Sequence, residues 1–171
     1  MTFGKTMARR MGYGLILALV GASMLTGDIT LAGTTSNRVK TIDANALDEM
    51  ISDRTYRGFV VFMASWCPPC KKEMPVLAEL YRRYHLKGVR ILAVSVDVDG
   101  PGDVQTLVDK MKIPFPVYWV GMDAVMKYQI FGIPMLMVID KGELIEKLPG
   151  GQPRGQLIAR LEDLLKRSEP N

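Results

Sequence analysis

The sequence predicts an α/β domain whose central mixed sheet is covered by helices on both faces, and three observations carry that expectation. Apolar, β-branched runs at 58–64, 89–98 and 135–140 are short; the first and last are nearly unbroken and the middle one clusters and alternates its apolar residues, as buried strands do. Between them apolar residues recur at helical spacing, as Met74, Leu77, Leu80 and Tyr81 do. Strands alternate with helices until a terminal hairpin and helix, an order that builds a layered sheet. At 171 residues the chain holds one domain with a leader, enough for a single substantial core.

The leader is expected over residues 1–33. Lys5, Arg9 and Arg10 precede an uncharged run from Met11 to Gly27, centred on Leu15-Ile16-Leu17-Ala18-Leu19-Val20. These are the charged and apolar regions of an export signal, and Thr30-Leu31-Ala32 offers small residues at a cleavage site. A retained N-terminal membrane anchor is the alternative. The run would span only about 25 Å as a helix, short of a hydrocarbon core of roughly 30 Å, which favours cleavage. Outside residues 1–27 the chain carries 19 basic against 18 acidic side chains, so the basic balance belongs to the leader. A near-neutral body gives no electrostatic case for nucleic acid.

Residues 34–39 read as a polar linker, opened by Thr34-Thr35-Ser36-Asn37, and 40–168 as the folded domain. Asp43 should cap a helix to about Asp53, with Leu47, Met50 and Ile51 inward. A strand over Phe59–Ala64 leads to a helix ending near His85, with a kink at Pro75. Gly88 ends that helix, and Val89–Val98 holds the next strand. Asp99-Gly100-Pro101-Gly102 is a turn, and Asp103 opens a helix to about Lys112. Pro114 and Pro116 confine the extended segment to Val120 to a sheet edge or a strand start. A helix over 123–130 follows. The strand at 135–140, the turn Lys141-Gly142 and the strand at 143–148 form a hairpin. Pro153–Lys166 closes the chain as an amphipathic helix through Leu157, Leu161 and Leu164.

The chemistry lies in Trp66-Cys67-Pro68-Pro69-Cys70, which contains the chain's two cysteines. The pair falls where a strand ends and a helix begins, with both prolines in the first turn, where a missing N–H costs nothing. A helix N-terminus favours a thiolate, the form that attacks disulfides. Cys67, outermost, is the expected nucleophile, and Cys70 the residue that resolves the mixed disulfide. Neither proline can donate a hydrogen bond to the Cys67 sulfur, so the thiol should be less acidic than in a donor-rich turn. A structural disulfide closing so short a loop adds little stability. Zinc needs four ligands, and two cysteines with the lone His85 do not supply them; the expected metal content is none.

The strand, the WCPPC turn and the following Lys71-Lys72-Glu73-Met74-Pro75 resemble the thioredoxin superfamily. Within it they resemble the TlpA/ResA-like thiol–disulfide oxidoreductases, over about residues 40–166. That resemblance implies a thioredoxin fold, with the helix and strand at 103–120 as a central insertion. It implies a cis peptide before Pro134, beside the CxxC, with Ile133 and Pro134 presenting backbone to an extended substrate. It also places Glu73 near the cysteines, where an inward carboxylate would raise their pKa or carry a proton to or from Cys70. Two departures stand out: Met135 replaces the relatives' threonine with a flexible apolar surface, and Val61 occupies the position where plain thioredoxins bury an aspartate. Trp66 is expected to pack beside the turn, with a part in substrate contact as the alternative, and His85 to answer the dipole at a helix end.

The implied activity is an exported protein-disulfide reductase of the periplasm or the outer face of the bacterial membrane, acting without a bound cofactor. Its substrate would be a disulfide-containing protein such as apocytochrome c in cytochrome c maturation, and its electron donor a membrane thiol reductase. Three alternatives share the fold: a disulfide oxidase or isomerase on the same site, a peroxiredoxin-like peroxidase, and a copper-binding chaperone. The chaperone expects two cysteines three residues apart and a distal histidine, whereas here the spacing is two and His85 lies upstream.

Overall fold

The computed structural model describes residues 37–167. The expected leader, 1–33, and residues 34–36 of the expected linker lie outside the described residues. Six strands form one sheet: β1 (Lys40–Thr41), β2 (Arg57–Met63), β3 (Arg90–Ser95), β4 (Val117–Trp119), β5 (Met135–Asp140) and β6 (Glu143–Pro149). Their order is β1-β4-β3-β2-β5-β6. The first four run parallel, while β5 lies antiparallel to β2 and β6 antiparallel to β5.

Among the described residues five α-helices accompany the sheet: α1 (Ala44–Ser52), α2 (Pro68–Tyr84), α3 (Gly102–Met111), α4 (Met122–Lys127) and α5 (Arg154–Lys166). All of β5, and β2 after its first residue, is buried at consecutive positions. Consecutive side chains point to opposite faces, so helices must cover both sides, and the unbroken apolar runs are the sequence form of that burial. Helix α2 packs on β3 and α5, while α1 meets α4. Among the described residues no helix is long and apolar enough to cross a membrane.

Local chemistry sets most boundaries. The Asp43 carboxylate accepts the Asn45 and Ala46 N–H groups and caps α1. Helix α2 stays helical across Pro75. A 3₁₀ turn at His85–Lys87 then ends at Gly88 in the left-handed region, which glycine enters freely.

Three elements differ from expectation. Strand β4 is shorter than the expected extended segment and is not an edge, because the two residues of β1 pair along its outer side; of the two expected places for Pro114 and Pro116, the strand start is the one found. Helix α4 ends at Lys127 rather than Ile130, where Gln129 turns to positive φ. The end of the expected linker is held to the insertion: Asn37 Nδ2 donates to the carbonyls of Ile113 and Phe115, and the Val39 N–H to Gln105 Oε1 at 2.8 Å.

Candidate active site

Strand β2 delivers the chain to the CxxC turn. The Cys67 N–H bonds back to Ala64 O at 3.1 Å, and Cys67 becomes the N-cap of α2, with Pro68 and Pro69 at its first positions. Cys67 and Cys70 are joined as a disulfide, their Cα atoms 5.3 Å apart. Because the prolines carry no N–H, the first amide of the turn that donates to Cys67 Sγ is that of Cys70, at 3.3 Å. Cys70 is fully enclosed, whereas Cys67 keeps 3% of its surface. What access the pair has is therefore at Cys67.

A second loop lies against that sulfur. The Ile133–Pro134 peptide is cis, and the Ile133 carbonyl oxygen is 3.8 Å from Cys67 Sγ. The Pro134 carbonyl accepts the Gly150 N–H at 2.8 Å, while the Ile133 N–H has no partner among the described residues. That donor belongs to the same residue whose carbonyl lies against Cys67 Sγ.

Glu73 turns inward and is 4% exposed. Its Oε1 accepts the Gln152 N–H at 2.8 Å, and its buried Oε2 has no partner among the described residues. Burial pushes its carboxyl above the ordinary glutamate range, and the Gln152 N–H pulls the other way. The turn at Gly150–Gln152 therefore braces both the Pro134 loop and Glu73. The Gln152 side chain closes that turn on the carbonyls of Pro149 and Gly150.

Two expectations need correction. Trp66 does not pack beside the turn but is 61% exposed. Met135 adds little surface, because it is drawn into β5 opposite Phe62 and Pro149 and is 8% exposed. The exposed apolar surface next to these loops comes from Trp66 and from Phe131, 92% exposed and two residues before Ile133. His85 sits beyond α2, its ring stacked on Tyr81 and its Nδ1 2.8 Å from Tyr81 O, so it answers the helix end. Val61 is buried in β2. Among the described residues no group of three or more histidine, cysteine or acidic side chains could hold a metal.

Sequence reasoning missed Asp97 and Gln152. Asp97, 3% exposed, accepts the Ser65 N–H two residues ahead of Cys67. Neither residue carries a motif; the only signal was an aspartate closing an otherwise apolar strand run.

The chain matches the AhpC/TSA family over residues 35–147. It is 36% identical over 114 residues to the thiol–disulfide oxidoreductase ResA of Bacillus thuringiensis subsp. konkukian (strain 97-27), covering 66% of this chain and 63% of that protein. It is 30% identical over 160 residues to ResA of Geobacillus kaustophilus (strain HTA426), covering 88% and 90%. Its fold resembles the crystal structure of StoA from Bacillus subtilis, with a TM-score of 0.55 and 26% identity over 62% of this chain and 82% of that one. The chain therefore belongs to the AhpC/TSA family of thioredoxin-like proteins, alongside the ResA thiol–disulfide oxidoreductases.

Proposed function

We propose that this protein is an extracytoplasmic thiol–disulfide oxidoreductase that reduces protein disulfides through Cys67 and Cys70. The observation that carries the reading is the cysteine pair itself: a disulfide at a helix N-terminus, with Cys67 Sγ 3.8 Å from the carbonyl of Ile133, whose N–H has no partner among the described residues. In the reduced protein the Cys67 thiolate attacks one sulfur of a substrate disulfide, and the other leaves as a thiolate and is protonated. Cys70 then attacks Cys67 Sγ and expels the second substrate thiolate. Two electrons have moved to the substrate, and the Cys67–Cys70 disulfide is restored.

A substrate strand laid along Ile133 and Pro134 would meet the free N–H by main-chain pairing, which asks little of its sequence. Trp66 and Phe131 would flank it. Glu73, one helical turn after Cys70, serves as the carboxyl that takes the Cys70 proton during resolution. The leader at 1–33, cleaved or kept as an anchor, would place the domain outside the cytoplasm. A membrane thiol reductase would then re-reduce the pair, and apocytochrome c cysteines are the fitting substrate class.

The direction of electron flow is tested by equilibrating the protein in graded dithiol/disulfide buffers. A reduction potential near about −270 mV is expected; a value near about −120 mV would make it a disulfide donor and reverse the reading. Titration of the reduced protein with Cu(I) separates the chaperone alternative.

Glu73 makes a pH prediction whose sign is fixed. Its folded pKa lies above the ordinary value of 4.5, so its contribution to stability is fully present below 4.5 and is lost as pH rises through the raised value. Glu73→Gln has no such loss. Urea midpoints should show the parental protein falling relative to Glu73→Gln on raising the pH from 4 to 8. The thiols of the variant should also titrate lower, having lost a neighbouring anion. Parallel stability curves with unchanged thiol titration would remove Glu73 from the mechanism.

A further inference from the structure

Asp97 lies just beyond β3 with neutral groups converging on its carboxylate. The Ser65 N–H reaches both oxygens at 3.0 Å, Ser65 Oγ–H donates to Oδ1 at 2.5 Å, and Ser95 Oγ–H donates to Oδ2 at 2.6 Å. The main chain is tied as well: the Asp97 N–H donates to Ser95 Oγ at 3.2 Å, and its carbonyl accepts Trp119 Nε1–H at 2.7 Å. Asp97 thus joins the ends of β3 and β4 to the segment that leaves β2 for Cys67. Among the described residues no ion pair reaches it; the lysines and arginines that pair there pair elsewhere.

A buried carboxylate without a cation is costly to keep, and a neutral side chain could bridge two serines at lower cost. We propose that Asp97 is a positioning residue of the redox turn: it clamps Ser65, and through Ser65 the approach to Cys67, while its unpaired charge disfavours the Cys67 thiolate. The proposal rests on the disulfide-exchange reading above. The clamp aligns Cys67 against Ile133 O. The charge keeps the thiol weakly acidic, which holds the dithiol toward the reducing side, since stabilising the thiolate makes such a pair more oxidising.

Other titratable groups also face the turn. Glu73 and Cys70 approach from α2. Across the groove that Ser65 lines stand Lys71 of α2 and Asp103 and Lys110 of α3. Both lysines favour the thiolate and both carboxylates oppose it, so the effect of Asp97 must be read by removing it alone.

The test is Asp97→Asn in the full domain, with the Cys67 thiolate followed by its ultraviolet absorbance against pH. The amide keeps the shape and an acceptor for the Ser65 N–H but removes the charge. The thiol is expected to titrate roughly 0.5–1 unit lower than in the parental protein, with thiolate reactivity below pH 7 raised to match. A folded Asp97→Asn that titrates within about 0.2 unit of the parental protein overturns the proposal, because a merely structural brace would leave the titration unmoved. Ser65→Ala provides a second reading that does not depend on the first variant folding. It removes one donor and leaves the charge, so the thiol should titrate at the parental value or higher; a fall overturns the proposal. A parental protein without a reversible disulfide would instead remove the exchange reading, whereas normal cycling with an unshifted Asp97→Asn removes only the role of Asp97.

Discussion

Cys70→Ser should convert the protein into a trap that forms a disulfide with its substrate and does not release it. Cys67 keeps its place as N-cap, and the first attack is unaffected. The Cys70 sulfur, proposed as the resolving group, is held within the fold beside Cys67 and is fully enclosed, so no thiol from solution should replace it at comparable rate. Oriented intramolecular attack corresponds to effective concentrations of about 10⁵ M or more, far beyond any free thiol. Turnover of a model protein disulfide should fall at least about a hundredfold, and a Cys67-linked adduct should accumulate on non-reducing gels and in the intact-mass spectrum. Cys67→Ser should lose turnover without forming an adduct. Near-parental turnover by Cys70→Ser, with no adduct, would mean that the second cysteine is not the resolving group.

The largest stability effect is expected at Gly58. This residue sits in β2 at φ +142°, where a Cβ would lie 1.7 Å from the Arg90 carbonyl oxygen. The obstacle is backbone, and it cannot step aside: Gly58 pairs with Arg90 on one side and Ile139 on the other, in the middle of the sheet. Gly58→Ala therefore requires a break in the β2–β3 ladder as well as a strained φ, and should cost more than about 4 kcal/mol. Domains of this size hold only about 5–15 kcal/mol in total, so most of the variant should be insoluble or unfolded at 37 °C. A soluble Gly58→Ala whose urea-derived stability lies within about 1 kcal/mol of the parental protein would contradict this account.

Where the sequence was informative, the controlling interactions were local. The run into Cys67, the two prolines after it, the Asp43 cap and the Lys141-Gly142 turn all act within a few residues, and each element falls within a few residues of expectation. What escaped was set by pairing across the chain. Two residues became β1 because Lys40 and Thr41 meet Tyr118 and Trp119, and nothing in a two-residue segment announces a partner so far away. The same holds at the site: Asp97 reaches Ser65 across 32 residues, and Gln152 reaches Glu73 across 79. The direction of Glu73 was open because helical phase gives a face of α2 without saying what covers it. Trp66 and Met135 were misjudged for a related reason, since exposure depends on neighbours from other loops.

The two ends of the sheet bear on self-association. On one side β1 offers only two residues, headed by Lys40. On the other, β6 carries Glu143, Glu146 and Lys147, ends in Pro149, and is broken by a register shift opposite Val138 and Ile139. Short, charged, proline-ended and irregular strands are poor templates for a foreign chain, and copies of this protein should not polymerise through them. An unfolded client with strand-forming segments is thereby refused along both flanks. On the proposed reading, the Ile133 N–H, without a partner among the described residues, would be the opening left to it, in the residue whose carbonyl lies 3.8 Å from Cys67 Sγ.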